Sequence, residues 1–224
     1  MLPYTANVLF SNFAQYNAAL WPLPVAAVLL ALAALVLAFR PVRHGDRIVS
    51  SLLVLAWLWT GYGYHYLQFA QINFAAPIYA GFFLLQGLLL AWTGLARGHL
   101  AFGFRSDAFR WLGLLLALAA ALAVPLADGL LGYGWESVRI VGLAPTPTAV
   151  FTLGLLLMSG PPPARHLAII PLLWSLVAGA SDQYRFEVLR PDGSKLVVHH
   201  YAERAEIGAE ELEWHRRNYV SIYR

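Results

Sequence analysis

The chain has 224 residues, of which 59% are hydrophobic and 12% charged, with no cysteine and a mean hydropathy of +0.60. A soluble domain carries about a quarter of its residues as charges, so this composition excludes an ordinary soluble fold and predicts an integral membrane protein. The formal charge of +3 and pI near 9.3 do not indicate nucleic acid, because the arginines lie in short stretches between apolar runs, and the lack of cysteine excludes disulfides, thiolate metal sites and cysteine nucleophiles.

A helix crossing ~30 Å of hydrocarbon needs roughly 20 residues at ~1.5 Å each. Ahead of the first such run, Phe10, Phe13, Asn17 and Trp21 recur at spacings of three and four, with Ser11, Asn12 and Gln15 turned elsewhere. This predicts a short helix over residues 7–20 lying in the outer interface. No Lys or Arg precedes the apolar run and arginines follow it directly, so the start reads as an uncleaved anchor and not as a signal peptide. Six runs then have the composition of spans: 22–39, 48–66, 75–95, 109–127, 139–158 and 166–180, the last being short for a full crossing.

Short cytoplasmic loops are enriched in Lys and Arg. The first loop holds Arg40, Arg43 and Arg47, the third Arg97, Arg105 and Arg110, and the fifth Arg165 beside His166. The amino terminus and the second loop carry no charge, and the fourth carries Asp128 and Glu136. The amino terminus, loops two and four, and the tail beyond Ala180 are therefore expected to face outward. Arg139 breaks this pattern, balanced by Glu136 one helical turn away.

After Ala180 the last 44 residues contain seven of the fifteen Lys and Arg and eight of the twelve Asp and Glu, which marks a separate polar tail. Tyr184, Phe186 and Val188 alternate with charged residues, Arg190 to Ser194 reads as a turn, and Leu196 to Tyr201 is again strand-like. Glu213 and Arg217, four apart, predict a terminal helix. The fold class expected is an all-α membrane bundle of about six transmembrane helices over 1–180, with a small α+β tail over 181–224.

Polar residues inside apolar runs are the candidates for function, because an unsatisfied amide in hydrocarbon costs several kcal/mol. His65 lies about 17 residues beyond Ile48, or roughly 25 Å along a helix axis, near the outer interface. Gln86 is deeper, about midway along the third run. Pro145 and Pro147 remove backbone donors at the outer end of the fifth run and are expected to free carbonyls there, next to Thr148 and Thr152 on one face. Asn17, His65, Gln68, Asn73, Gln86, Thr148 and Thr152 are the candidates for lining an outward-opening polar pocket, with Asp128 or Glu136 at its mouth. The competing reading is structural: Trp57, Trp59, Tyr62, Tyr64 and Tyr66 form an interfacial aromatic belt in which His65 keeps its polar edge wet.

Adjacent His199 and His200 on a strand point to opposite faces, so they and His215 read as solvated and not as metal ligands. His44, His99 and His166 sit at the basic ends. No nucleotide-binding glycine loop, Gly-x-Ser-x-Gly elbow or His-Glu-x-x-His motif occurs. No catalytic residue or metal ligand is assigned, and no cofactor is expected.

The segments LPYTANVLFSNFAQYNAALWP, LWTGYGYHYLQFAQINFAAPIYAGFFLLQGLLL, APTPTAVFTLGLLLM and IIPLLWSLVAGA, in this order, resemble a family of small membrane proteins known as domain of unknown function 6064. The resemblance covers residues 1–180 and implies a bacterial multi-pass membrane protein without supplying an activity. After Gly179 the family pattern implies another hydrophobic segment where this chain begins its polar tail. The leading reading is a bacterial inner (cytoplasmic) membrane protein with its amino terminus outside, acting as a small-solute or ion binding or transport component. Two alternatives stay open: a structural or accessory subunit of a membrane complex, contacting a protein partner through 181–224, and a membrane enzyme or haem protein using His65. The partner expected in every case is the lipid bilayer, with no nucleic acid.

Overall fold

A computed structural model describes residues 6–40, 42–103, 106–160, 165–181, 186–189 and 195–198. The chain divides into two units, Met1–Asp182 and Gln183–Arg224. The first is helical. Helix α1 (Ala6–Ala19) is followed by α2 (Leu23–Phe39), which leaves it at 92°. Helix α3 (Gly45–Trp59) runs unbroken into a wider π-wound segment, Thr60–Gln68. Helix α4 (Ala76–Leu90) continues in the same way through Ala91–Ala96. Helix α5 (Ala108–Leu118) passes through Ala119–Ala123 into α6 (Val124–Asp128). Helix α7 spans Pro145–Met158, and α8 (Ile169–Ser181) is led in by a tight turn at Arg165–Ala168.

Two continuous helices, Ala76–Ala96 and Ala108–Asp128, are long and apolar enough to cross a membrane, and the bent pair Val8–Ala19 and Leu23–Phe39 raises the number to three. Pro145–Met158 and Arg165–Ala178 are apolar but shorter. The other predicted runs fall short for physical reasons. The second forms a long helix, but its later part, Thr60–Gln68, is rich in glycine and tyrosine and holds His65. The fifth becomes helical only at Pro145, because Gly142 turns the chain at φ 84° and Ala144, preceding a proline, is held extended. Glu136 is therefore not one helical turn from Arg139: a tight turn at Trp135–Ser137 and extended Val138 intervene, and Arg139 pairs with Asp128 instead.

The buried face of α1 also differs from expectation. Asn12, Phe13, Tyr16 and Asn17 are buried, while Trp21, past the helix end at Ala19, is 70% exposed.

The connecting segments sort by end. At one end the Phe102 N–H donates to the Asp46 carboxylate at 2.8 Å, the Gly160 N–H donates to the Ala101 carbonyl at 2.7 Å, and Thr93 Oγ1 meets His166 Nε2 at 3.2 Å. The stretches following α2, α4 and α7 therefore meet. At the other end, Asn17 reaches the carbonyls of Glu136 and Val138, both at 2.9 Å, and Phe10 stacks on Tyr133 at 3.6 Å.

Helix α7 occupies the middle, with Thr148, Phe151, Thr152, Leu155 and Met158 all buried. It can approach α5 closely because each helix offers a glycine at the crossing. A Cβ on Gly154 would lie 2.6 Å from the Gly113 carbonyl oxygen and 2.8 Å from the Ala117 amide nitrogen, and neither backbone atom can give way. Gly154→Ala is expected to destabilise the protein by about 1–3 kcal/mol, read as a lower melting midpoint in detergent. The outward faces of α2, α4, α5 and α8 expose Leu29, Val36, Phe82, Leu88, Leu115, Leu173 and Leu176.

Helix α5 is capped by Asp107, whose side chain accepts the Arg110 N–H at 3.0 Å and pairs with the Arg110 guanidinium. That backbone hydrogen bond, chiefly, holds the Asp107 carboxyl below its ordinary range. Its contribution to stability is present above the ordinary carboxylate pKa and is lost as pH falls through the depressed value.

In the second unit Phe186–Leu189 and Lys195–Val198 pair antiparallel, with Phe186 opposite Val198 and Leu189 opposite Lys195. The expected terminal helix around Glu213 and Arg217, and His199, His200 and His215, lie outside the described residues.

Candidate functional site

The seven candidate residues separate into two groups. Five are engaged in structural hydrogen bonds. Asn17 holds α1 to the stretch after α6, as above, and the Asn73 carboxamide oxygen accepts the Ala75 N–H at 2.9 Å at the start of α4. Gln68 donates to the Asn12 carbonyl at 3.4 Å. The Thr148 hydroxyl donates to the Ala144 carbonyl at 2.6 Å and accepts the Gly142 N–H at 2.7 Å. Thr152 donates to the Thr148 carbonyl at 2.8 Å and accepts the Trp57 indole N–H at 2.8 Å.

The prolines beside these threonines start a helix and do not break one. Pro145 and Pro147 fall in the first turn of α7, where the missing donors would lack partners inside the helix anyway. The two prolines therefore break no hydrogen-bond ladder inside α7. Asp128 is likewise not a pocket-mouth carboxylate: it is buried, and it accepts from the Arg139 backbone N–H, Nε and Nη2 at 2.9, 2.9 and 2.6 Å. Glu136 is exposed.

Trp57 is fully buried and is not part of an interfacial belt. Thr152→Val leaves its N–H without a partner and is expected to cost about 1–3 kcal/mol of stability. Trp57→Phe, which leaves the Thr152 hydroxyl its own bond to α7, is expected to lose less from hydrogen bonding. Comparing the two melting midpoints checks the order.

His65 and Gln86 form the second group. The π winding of Thr60–Gln68 departs from the 3.6-residue spacing, and adjacent Tyr64 and His65 both turn inward, 1% and 0% exposed, while Tyr62 and Tyr66 face out at 52% and 54%. Wide turns often accompany functional sites, but the same winding recurs at Ala91–Ala96, Ala119–Ala123 and Gly129–Tyr133, so winding alone does not single this segment out. Of the belt residues only Trp59, Tyr62 and Tyr66 are exposed, and His65 has no wet edge.

The imidazole is enclosed by rings. Phe83 lies 4.6 Å from it, Trp174 5.1 Å, Tyr64 5.4 Å, and Phe69 and Tyr79 5.8 Å each, measured between centroids. Tyr79, Phe83 and Gln86 follow one another at spacings of four and three along one face of α4, and Trp174 of α8 also packs on Tyr79 and Phe83, at 5.4 and 5.1 Å. Gln86 is fully buried and donates through Nε2 to the Leu167 carbonyl at 2.8 Å, which ties α4 to the start of α8.

Within this packing, both ring nitrogens of His65, Gln86 Oε1 and Trp174 Nε1 have no hydrogen-bond partner among the described residues. They are four of the seven buried polar side-chain atoms in that condition among the described residues. Such groups are uncommon in folded proteins and each calls for a cause, such as a bound molecule or a functional task. A neutral imidazole offers one donor and one acceptor, indole one donor, and the amide oxygen one acceptor site or more. Rings at these distances leave no place for a porphyrin on His65, so the haem reading does not fit. Among the described residues no three His, Asp or Glu side chains gather as a metal site.

Trp174 was not among the candidates of the sequence. The signal was its depth: it lies eight residues beyond His166, too far into an apolar run for an interfacial belt, and an indole N–H shut off from water needs a partner.

No curated protein and no solved structure matches this chain. A family described as "Family of unknown function (DUF6064)" matches residues 6–198, which carries the likeness past residue 180 and through both strands of the hairpin. The chain belongs to this family of unknown function.

Proposed function

We propose that this is an integral membrane protein of the bacterial inner membrane, with six helical segments alternating across the bilayer, the amino terminus outside, and a small-solute site at His65, Gln86 and Trp174. Support for the membrane reading comes from the leucine, valine and phenylalanine side chains exposed along α2, α4, α5 and α8, more than a water-soluble monomer tolerates. The alternation draws support from the meeting of the three arginine-bearing stretches at one end. Arg40, Arg43, Arg97 and Arg165 lie in them, and Arg47 and Arg110 in the first turns of the helices that follow, α3 and α5.

One observation carries the binding function: His65, Gln86 and Trp174 leave four buried polar atoms without partners among the described residues. They supply donors and acceptors with no carboxylate among them, which favours a small uncharged polar solute over an ion. The surrounding rings limit it to a few heavy atoms. With no nucleophile or acid–base pair in the cluster, the role is binding or passage and not catalysis.

The test uses the full chain in mild detergent and a thermal-shift panel of small amides, alcohols and ureas, with monovalent salts as the comparison. A bound solute at about 100 times its Kd adds ~2.7 kcal/mol to the wild type. That shift is expected to disappear in His65→Phe and to weaken in Gln86→Leu. A solute that stabilises His65→Phe as strongly as the wild type removes the site from this cluster.

A second reading, a structural or accessory subunit, has its own support: Asn17, Gln68, Asn73, Thr148 and Thr152 all serve to join helices and turns. It is favoured instead if no solute shifts the wild type and a partner co-purifies in mild detergent and is lost when 183–224 is removed.

A further inference from the structure

We propose that the groove between α5, α7 and α8 holds one anionic phospholipid, its phosphate on Arg165 and an acyl chain along Leu112, Leu116, Leu157 and Leu172. The groove has a volume of about 730 Å³, and its two ends differ in chemistry. Its apolar part is built from leucines of three helices. Its other end holds Asp107 and Arg110 at the start of α5, Ser159 at the end of α7 and Arg165 at the approach to α8.

Most of these polar groups are already engaged. Arg110 donates through Nε to the Gly103 carbonyl at 3.0 Å and pairs with Asp107, and the Ser159 hydroxyl donates to the Leu156 carbonyl at 2.7 Å. Arg165 is exposed and makes no hydrogen bond or ion pair among the described residues. Two arginines against one aspartate leave the mouth one positive charge in excess, carried by a guanidinium shaped to take two phosphate oxygens at once.

The length fits as well. Asp107 to Leu116 is nine residues, ~14 Å of helix axis, against ~15 Å of hydrocarbon in one leaflet. A second groove of about 650 Å³, between α2 and α3, has no charged residue in its lining, so nothing there selects an anionic head group.

This assignment rests on the membrane reading above, and its test separates the two. In alkaline carbonate extraction, release of the protein from membranes overturns both, whereas retention leaves the lipid question to the next arm. The purified full chain is titrated in detergent with phosphatidylglycerol or phosphatidylcholine of the same acyl chains and read by native mass spectrometry. A preference of about fivefold for phosphatidylglycerol is expected, the size of one arginine's attraction to an anionic surface. Arg165→Gln is expected to abolish the preference, and Leu172→Trp, which narrows the groove at an already exposed position, to weaken both lipids. Equal binding of the two lipids overturns the proposal, as does a preference unchanged in Arg165→Gln. Glycerophosphate binding as tightly as the lipid marks a soluble-phosphate site and overturns it. A dimer that Leu172→Trp turns into a monomer marks a self-interface and does the same.

Discussion

His65→Phe is expected to raise the melting midpoint of the purified protein while removing solute binding. The imidazole carries two nitrogens that no group among the described residues satisfies, inside a shell of five rings, so a slightly larger hydrocarbon ring of like shape keeps most of the packing and removes the unmet polar groups. The gain is about 1–3 kcal/mol in a water-soluble reference and nearer ~1 kcal/mol in a bilayer, where the unfolded state also finds partners. For a chain of this size that is a rise of roughly 2–4 °C. Gln86→Leu behaves differently, because it removes the unpartnered Oε1 together with the Nε2 bond to Leu167, so its midpoint is expected to stay close to that of the wild type. A loss of stability in His65→Phe instead identifies a structural water on the imidazole, and the binding reading goes with it. Stability gained where function is lost is the signature of a site kept for its task and not for its fold.

Asp128→Ala is expected to cost about 3 kcal/mol, a large loss for a substitution outside the hydrocarbon packing. Removal of the carboxylate strips three hydrogen bonds from Arg139 at once. The cost falls at the lower end for broken buried pairs because the Arg139 side chain keeps 32% of its surface in contact with solvent. The damage is expected to spread to α1, since the Arg139 guanidinium lies 5.4 Å over the Phe10 ring and Phe10 in turn stacks on Tyr133. Limited proteolysis checks this: α1 of the variant should be cut well before α4 or α7, and equal protection of α1 in the two proteins rejects the link.

Helices were legible in this sequence wherever the apolar run was long and uninterrupted, as in α4 and α5. Legibility failed where backbone conformation depended on single residues. Gly142 and Ala144 delay α7 by a turn and a half, and hydropathy does not register a positive φ. The aromatic faces of the second run were misassigned because a 3.6-residue wheel does not apply to a π-wound segment, so Tyr64 and His65 went to the interface when both point inward. His65 and Gln86 stood out in the sequence because unsatisfied polar groups in apolar runs are costly wherever they sit. Their neighbour Trp174 was missed because a tryptophan in an apolar run looks inexpensive until its N–H has to be accounted for. Thr148 and Thr152 stood out for the same polar reason as His65, but serine and threonine can satisfy themselves on the preceding turn of their own helix, which histidine cannot.

The hydrogen bonds from Asn17 to Glu136 and Val138 span 119 and 121 positions in the sequence. At synthesis rates of about 5–20 residues per second, those carbonyls leave the ribosome roughly ten seconds after the helix that needs them. Helix α1 is thus made well before the groups that seat it. Until Tyr133 and then Glu136 and Val138 have emerged, α1 lacks the ring that stacks on Phe10 and the acceptors for Asn17. Helix α1 therefore acts as a latch that engages only after the stretch joining α6 to α7 has been synthesised.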